Sequence, residues 1–183
     1  MKSLASLLSG GVAALALAFA AAPGQAGTTT GFIDTTLVLM DSCAVNDSIA
    51  GSDADIDFGT LDFGQASTQF RRQDAVLVGS AGEGIMLRCS TGTSVSLKVL
   101  GGTNDAHGNP AQHALVNAQT GSQYIPYDLY LDRARTQVLP NNTAISIVGN
   151  GSNQQIELYA RAFGAPGIST GIYTDVLTLQ LEF

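Results

Sequence analysis

The residues that could do chemistry in this chain are few, and their order argues against a catalytic site. Residues 167–171 read GISTG, which matches the Gly-x-Ser-x-Gly nucleophile motif around Ser169. That motif works on a strand–turn–helix elbow with its histidine later in the chain, whereas His107 and His113 both precede Ser169. GISTG is therefore interpreted as a turn between strands, and a secreted hydrolase built on Ser169 is the remote alternative.

Two further groups have the residue types of metal ligands. Asp53, Asp55 and Asp57 are spaced like the start of a calcium loop, but the sixth and twelfth positions, which need Gly and Glu, hold Phe58 and Gly64. A solvated acidic loop fits better, and the two histidines lie in a polar, turn-rich stretch where a surface position is expected. The sequence thus predicts no catalytic residue, no metal site and no cofactor.

The first 26 residues have the pattern of a secretory signal peptide. Lys2 precedes an apolar run at 12–22, and small residues end at Ala26. Cleavage there would leave 157 of the 183 residues, enough for one exported, soluble domain with its own core. With Lys2 removed, seven basic residues face fifteen acidic ones, a net charge of −8. Such an acidic protein is a poor partner for nucleic acid.

Cys43 and Cys89 are the only cysteines of the chain. In an exported protein, an even pair is most simply one disulfide. The bond would enclose 45 residues, and in the chain-entropy picture such a loop stabilises the fold by roughly 3–4 kcal/mol.

The remaining chain alternates apolar and polar residues in short runs separated by turns, and no run has a helical period with caps. Pro126 suggests an edge or a bulge in its run, and residues 102–113 read as a long loop. Seven or eight strands at this spacing predict an all-β sandwich of immunoglobulin-like type. The runs are 75–79, 84–90, 94–100, 123–132, 143–149, 154–164 and 177–183.

Both ends of the predicted domain carry alternating apolar faces. The terminal strand places Leu177, Leu179, Leu181 and Phe183 on one face, and the segment 27–42 places Ile33, Thr35, Leu37 and Leu39 on one face. The second segment precedes the first cysteine, so it is tethered at one end only, where disorder is the usual expectation. Fully extended at ~3.3 Å per residue, it would span roughly 50 Å. It is either the first strand of its own sandwich or a strand for another chain.

An ordered set of segments resembles the spore coat protein U domain, the subunit fold of archaic, Csu-type chaperone–usher pili. The set consists of the alternating segment that ends at Cys43, DFGTLDFG (57–64), GIMLRCSTGTSVSLKVLGG (84–102), IPYDLYLDRARTQVLP (125–140) and the terminal GIYTDVLTLQLEF. The resemblance implies a signal peptide at 1–26, a donor-strand extension at 27–42 and a pilin domain at 43–183.

The resemblance also implies a function and partners. The fold would be an incomplete immunoglobulin-like sandwich, completed by donor-strand complementation from a neighbouring subunit, with the terminal strand lining the acceptor groove. A periplasmic chaperone, an outer-membrane usher and neighbouring pilin subunits would be the partners, and a surface fibre for adhesion and biofilm the product. A self-assembling coat protein with the same domain, or a monomeric periplasmic ligand-binding sandwich, are the alternatives.

Overall fold

The computed structural model describes residues 24, 27–51, 56–80, 82–108 and 112–183. The chain divides into two units, 1–38 and 39–183. The predicted signal peptide lies outside the described residues except for Gly24. The other described residues of the first unit, 27–38, form no regular secondary structure and are exposed.

The second unit is built from short strands. The described residues contain one short 3₁₀ helix, Asp105–His107, and none of their helices is long and apolar enough to cross a membrane. The strands are β1 (Cys43–Val45), β2 (Ser48–Ile49), β3 (Thr60–Leu61), β4 (Arg72–Gly79), β5 (Gly82–Glu83), β6 (Ile85–Cys89), β7 (Ser94–Gly102), β8 (His113–Asn117), β9 (Tyr124–Tyr130), β10 (Ala144–Val148), β11 (Gln154–Ile156), β12 (Tyr159–Phe163), β13 (Tyr173–Thr174) and β14 (Leu177–Glu182).

The strands form three sheets with antiparallel ladders. Their orders are β11-β6-β1-β2, β10-β7-β14 and β13-β8-β9-β12-β4-β3, with β5 added beside β4. The inner faces of all three sheets contribute to one core, which includes Val45 and Leu87, Leu97 and Val99, and Leu129. The predicted all-β sandwich is therefore confirmed.

The predicted disulfide between Cys43 and Cys89 is also confirmed. The two residues lie directly opposite each other in β1 and β6, and their sulfurs are 2.06 Å apart. Both side chains are buried in the core, so the covalent link lies inside the packed part of the domain and fixes β1 onto β6.

Three details of the predicted strand pattern are corrected. The run 154–164 is two strands in different sheets, since β11 pairs with β6 while β12 pairs with β4 and β9. The stretch 102–113, read as a loop, ends in β8. Pro126 lies in β9, which has neighbours on both sides, but the ladder with β12 ends at Tyr127. The missing N–H of Pro126 is therefore tolerated because only β8 pairs with that position.

Candidate functional site

An open groove lies between β14 and the segment 56–63. Its volume is about 370 Å³, and its walls are residues 56–61 and Phe63 on one side and 175–177 and Leu179 on the other. The floor consists of apolar and aromatic side chains of the core: Leu77, Val99, Leu115, Tyr127, Leu129 and Leu158. Five of these, all but Leu115, are only 1–6% exposed. The groove therefore reaches down to the closed core, and its partly buried apolar side chains are Leu115 and those of the two walls.

Two tandem Asp-Phe-Gly turns shape the wall 56–63. The Asp57 carboxylate accepts a hydrogen bond from the Gly59 backbone N–H at 2.9 Å, and Asp62 accepts one from Gly64 at 2.7 Å. In each turn the carboxylate of the Asp accepts a hydrogen bond from the backbone N–H two residues later, which is an Asx-turn. Gly59 has φ +123°, and a Cβ there would lie 2.5 Å from the Val78 carbonyl oxygen. Only glycine lets this wall approach β4 so closely.

The turns place two aromatic rings at the groove. Phe58 and Phe63 are partly buried against the core, as are Ile56 and Leu61. The ring of Phe63 packs edge-on against Tyr127 with centroids 5.7 Å apart. In the sequence, DFGTLDFG is one of the segments that carry the family resemblance. The repeated Asp-Phe-Gly was the signal that could have identified these wall residues.

The opposite wall is the terminal strand. In β14 the leucines are partly buried, while Thr178, Gln180 and Glu182 are exposed. Leu177 and Leu179 line the groove, and Leu181 packs against the core beyond it. Phe183 follows the end of β14 and is 48% exposed. Among the described residues β14 is an end strand that pairs with β7 alone, so its other edge offers backbone groups for a further strand.

One end of the groove is polar. The Tyr127 hydroxyl donates a hydrogen bond to Asp175 Oδ2 at 2.8 Å. Asp175 Oδ1 accepts hydrogen bonds from the Asn104 backbone N–H at 3.2 Å and from its side-chain amide at 2.9 Å. Burial, with the adjacent Asp175 charge, raises the pKa of the Tyr127 phenol, which therefore stays a proton donor.

A histidine and two carboxylates meet beside this end. Asp105, His113 and Asp175 bring ligand atoms within 4.8 Å of one another, so they are the group that could hold a metal ion among the described residues. Asp105 Oδ1 lies 2.8 Å from His113 Nδ1, and its Oδ2 accepts from Gly102 and Asn141. Every oxygen of the two carboxylates thus has a protein partner, which makes the arrangement a hydrogen-bond network between loops and strands.

The network corrects the interpretation of His113 as a surface residue. His113 lies in β8 and is only 2% exposed, which is tolerated because the carboxylate of Asp105 is a hydrogen-bond partner for its buried imidazole. Burial works to raise the pKa of Asp105, but hydrogen bonds from Gly102, His113 and Asn141 together hold the pKa of that carboxyl below its usual value.

Ser169 lies in the loop between β12 and β13 and does not have the partners of a nucleophile. Its hydroxyl lies against the Gln123 side-chain oxygen, and Asn117 donates to Ser169 Oγ at 3.3 Å. Among the described residues, Ser169 has no imidazole or carboxylate hydrogen-bonded to it. Of the three aspartates of the predicted acidic loop, only Asp57 lies within the described part of the chain, where it forms the turn with Gly59.

The segment 27–42 has no regular secondary structure and is exposed throughout. Ile33, Leu37 and Leu39 are 89%, 81% and 84% exposed, and Thr35 is also exposed. The opposite face of an extended chain would carry further exposed apolar residues, which the sequence analysis did not single out. They are Phe32, Val38 and Met40.

Comparisons with known proteins identify the family. Among curated proteins, none matches this sequence. Among solved structures, the chain is similar to one in the CsuC–CsuE chaperone–tip adhesion subunit pre-assembly complex from archaic chaperone–usher Csu pili of Acinetobacter baumannii, with 18% identity and a TM-score of 0.47. The match covers 79% of this chain and 40% of that one, so this chain spans less than half its length. Residues 29–180 match the Spore Coat Protein U domain, and the chain therefore belongs to that family.

Proposed function

We propose that this protein is a structural pilin subunit of a chaperone–usher surface fibre, polymerising by donor-strand exchange. The observation that carries the proposal is the groove into the core beside β14, in a chain whose apolar segment 27–42 is exposed. The segment of one subunit would fill the groove of the next. The product would be a surface fibre serving adhesion and biofilm formation.

The groove has the properties that strand addition requires. The free edge of β14 offers backbone donors and acceptors along its length, and strand addition uses such groups for affinity and alternate side-chain pockets for specificity. The partly buried apolar side chains that line the groove, among them Leu61, Leu115 and Leu179, would be covered by the side chains of the incoming strand. An inserted strand would therefore supply both the missing hydrogen bonds and the missing core contacts.

The segment 27–42 has the properties of the incoming strand. Ile33, Leu37 and Leu39 are more than four-fifths exposed, and burying three such side chains contributes roughly 5–9 kcal/mol before the cost of ordering the segment. Thr35 would be the fourth residue of that face. A segment that lies in another subunit's groove leaves its own groove for a third, so the contact is head-to-tail and generates an open filament.

The proposal names the partners. The segment 27–42 exposes apolar side chains and the unfilled groove leaves those of its walls partly uncovered, which is a risk of aggregation before assembly. A periplasmic chaperone would cover the groove after export. An outer-membrane usher would then replace the chaperone with the segment 27–42 of the next subunit, and neighbouring subunits would complete the fibre. The acidic composition gives no role to nucleic acid, and the partners of Ser169 favour a structural subunit over an enzyme.

Deleting residues 28–40 tests the proposal in cells that express the chaperone and usher. The truncated subunit should still be recovered with the chaperone, because residues 43–183 and their disulfide are intact. Electron microscopy should then show loss of fibres. Fibres of normal length would contradict the proposal, and loss of the chaperone complex would mean that the segment belongs to its own sandwich.

One observation favours a second function. A groove of about 370 Å³ is within the roughly 300–1,000 Å³ range of small-ligand sites, so a monomeric periplasmic ligand-binding protein is the alternative. That protein would be stable and monomeric without a chaperone, and deletion of 28–40 would leave its assembly unchanged. A self-assembling coat protein would share the strand exchange and differ only in the final assembly.

A further inference from the structure

The sheet β10-β7-β14 has a second open edge, on the side away from β14. β10 is the other end strand, and within the described part of the chain its residues Ala144–Val148 pair with β7 only. If the edge of β14 receives a strand from a neighbouring subunit, the edge of β10 is the one through which this sheet can still extend.

The edge of β10 lacks the features that usually prevent strand pairing. Natural edge strands are protected by charged residues, proline, bulges or very short length. β10 reads AISIV, without charge or proline, and its ladder with β7 is regular over five residues. Ile145 and Ile147 are only partly buried although they pack against the core, and Val148 is 64% exposed. A further strand would cover all three side chains.

The sequence of β10 is complementary to itself about Ser146. In an antiparallel pair centred there, Ile145 faces Ile147 of the second copy on the inner side, and Ala144 faces Val148 of the second copy on the outer side. On both faces apolar side chains then lie opposite apolar side chains, and Ser146 lies opposite its own copy. A two-fold interface requires this kind of self-complementarity. We propose that β10 is a lateral contact through which subunits of neighbouring fibres pair with each other. This inference rests on the proposed fibre-forming function.

The size of the contact decides where it operates. Two strands of five residues bury far less than the about 1,200 Å² of a stable interface, so the contact is weak between single subunits. Where two fibres lie side by side, the same contact can recur from subunit to subunit, and affinity accumulates by multivalency. The edge thus joins fibres into bundles and leaves free subunits monomeric at low concentration.

Charge substitutions at Ser146 test the contact in assembled fibres. Ser146 is exposed at the centre of the two-fold pair, so Ser146→Lys places two like charges opposite each other, which destabilises strand pairing. Electron microscopy should show wild-type bundles and single Ser146→Lys or Ser146→Glu fibres, with bundling restored when the two variants are mixed. Ser94→Lys, on the exposed face of β7, is the control and should still bundle. Unchanged bundling by Ser146→Lys, or no rescue in the mixture, would overturn the inference.

A cysteine at the same position tests the register without requiring fibres. Residues opposite each other in antiparallel strands have Cα atoms about 4.5–5.5 Å apart, within the range that a disulfide bridges. Concentrated, oxidised Ser146→Cys protein should give a reducible dimer that Ser94→Cys does not give. If the wild type forms no fibres, the proposed function fails, and the cross-link alone then decides edge pairing. Equal dimer yields from the two variants would refute it.

Discussion

Leu179→Asp should destabilise the domain because it places a carboxylate on the inner face of β14. Leu179 is partly buried, packs against the core and lines the groove. Losing its apolar contacts costs about 1–2 kcal/mol, and a carboxylate among apolar groups adds about 1–3 kcal/mol even where water has partial access. The free energy of unfolding should therefore fall by about 2–5 kcal/mol. Insertion of a strand would remove that water, so the variant should also lose donor binding.

Glu182→Gln is the matched control on the other face of the same strand. It removes the exposed ion pair between Lys98 and Glu182, whose N–O distance is 3.0 Å, and such surface pairs contribute about 0–1 kcal/mol. Urea unfolding followed by circular dichroism, with the disulfide intact, measures both changes. If the two variants lose equal stability, the inward direction of Leu179 and the argument from the groove wall are wrong.

Three further predictions concern the scaffold of the groove. Cys43→Ser should lower the free energy of unfolding by roughly 4 kcal/mol through the lost loop constraint, measured by urea unfolding against the oxidised wild type; a loss under ~1 kcal/mol would contradict the account. Gly59→Ala should cost about 1–3 kcal/mol because φ is +123° and the added Cβ would meet the Val78 carbonyl, whereas Gly64→Ala, with open space around its Cβ, should cost less. The pKa of Asp105 is held below 3.8 in the folded protein. The ionised carboxylate therefore contributes to the free energy of unfolding above pH 3.8, and this contribution is lost as the pH falls through the folded pKa. Asp105→Asn should therefore lose less stability than the wild type as the pH falls below 3.8 in acid unfolding, and parallel curves would contradict this.

The strands and the disulfide were predictable because their signals are local or strongly restricted. β7, β10 and β14 show period-two alternation over five residues or more, and each is half-buried as its pattern predicts. The pair Cys43 and Cys89 left one possible disulfide. Features of this kind can be predicted without knowing which strands become neighbours in the fold.

The remaining features depend on tertiary contacts that a single sequence does not contain. The run 154–164 alternates in one continuous pattern, yet Ile156 pairs in one sheet and Tyr159 in another. His113 looks like a loop residue until Asp105 is brought beside it. The groove wall 56–63 has almost no ladder of its own, since only Thr60–Leu61 pair with β4, so its position comes from side-chain hydrogen bonds rather than from a strand pattern.

Hydrogen exchange on the groove edge tests most directly whether the segment 27–42 completes another subunit. The experiment adds a peptide of residues 27–42 to the chain lacking 28–40 and follows the backbone amides of β14 and β10. We expect slower exchange in β14, unchanged exchange in β10 and a higher melting temperature that rises with peptide concentration. A Leu37→Asp peptide should lose this effect, while Val38→Asp, on the opposite face, should retain it. No protection of β14, or equal activity of the two variant peptides, would contradict the account.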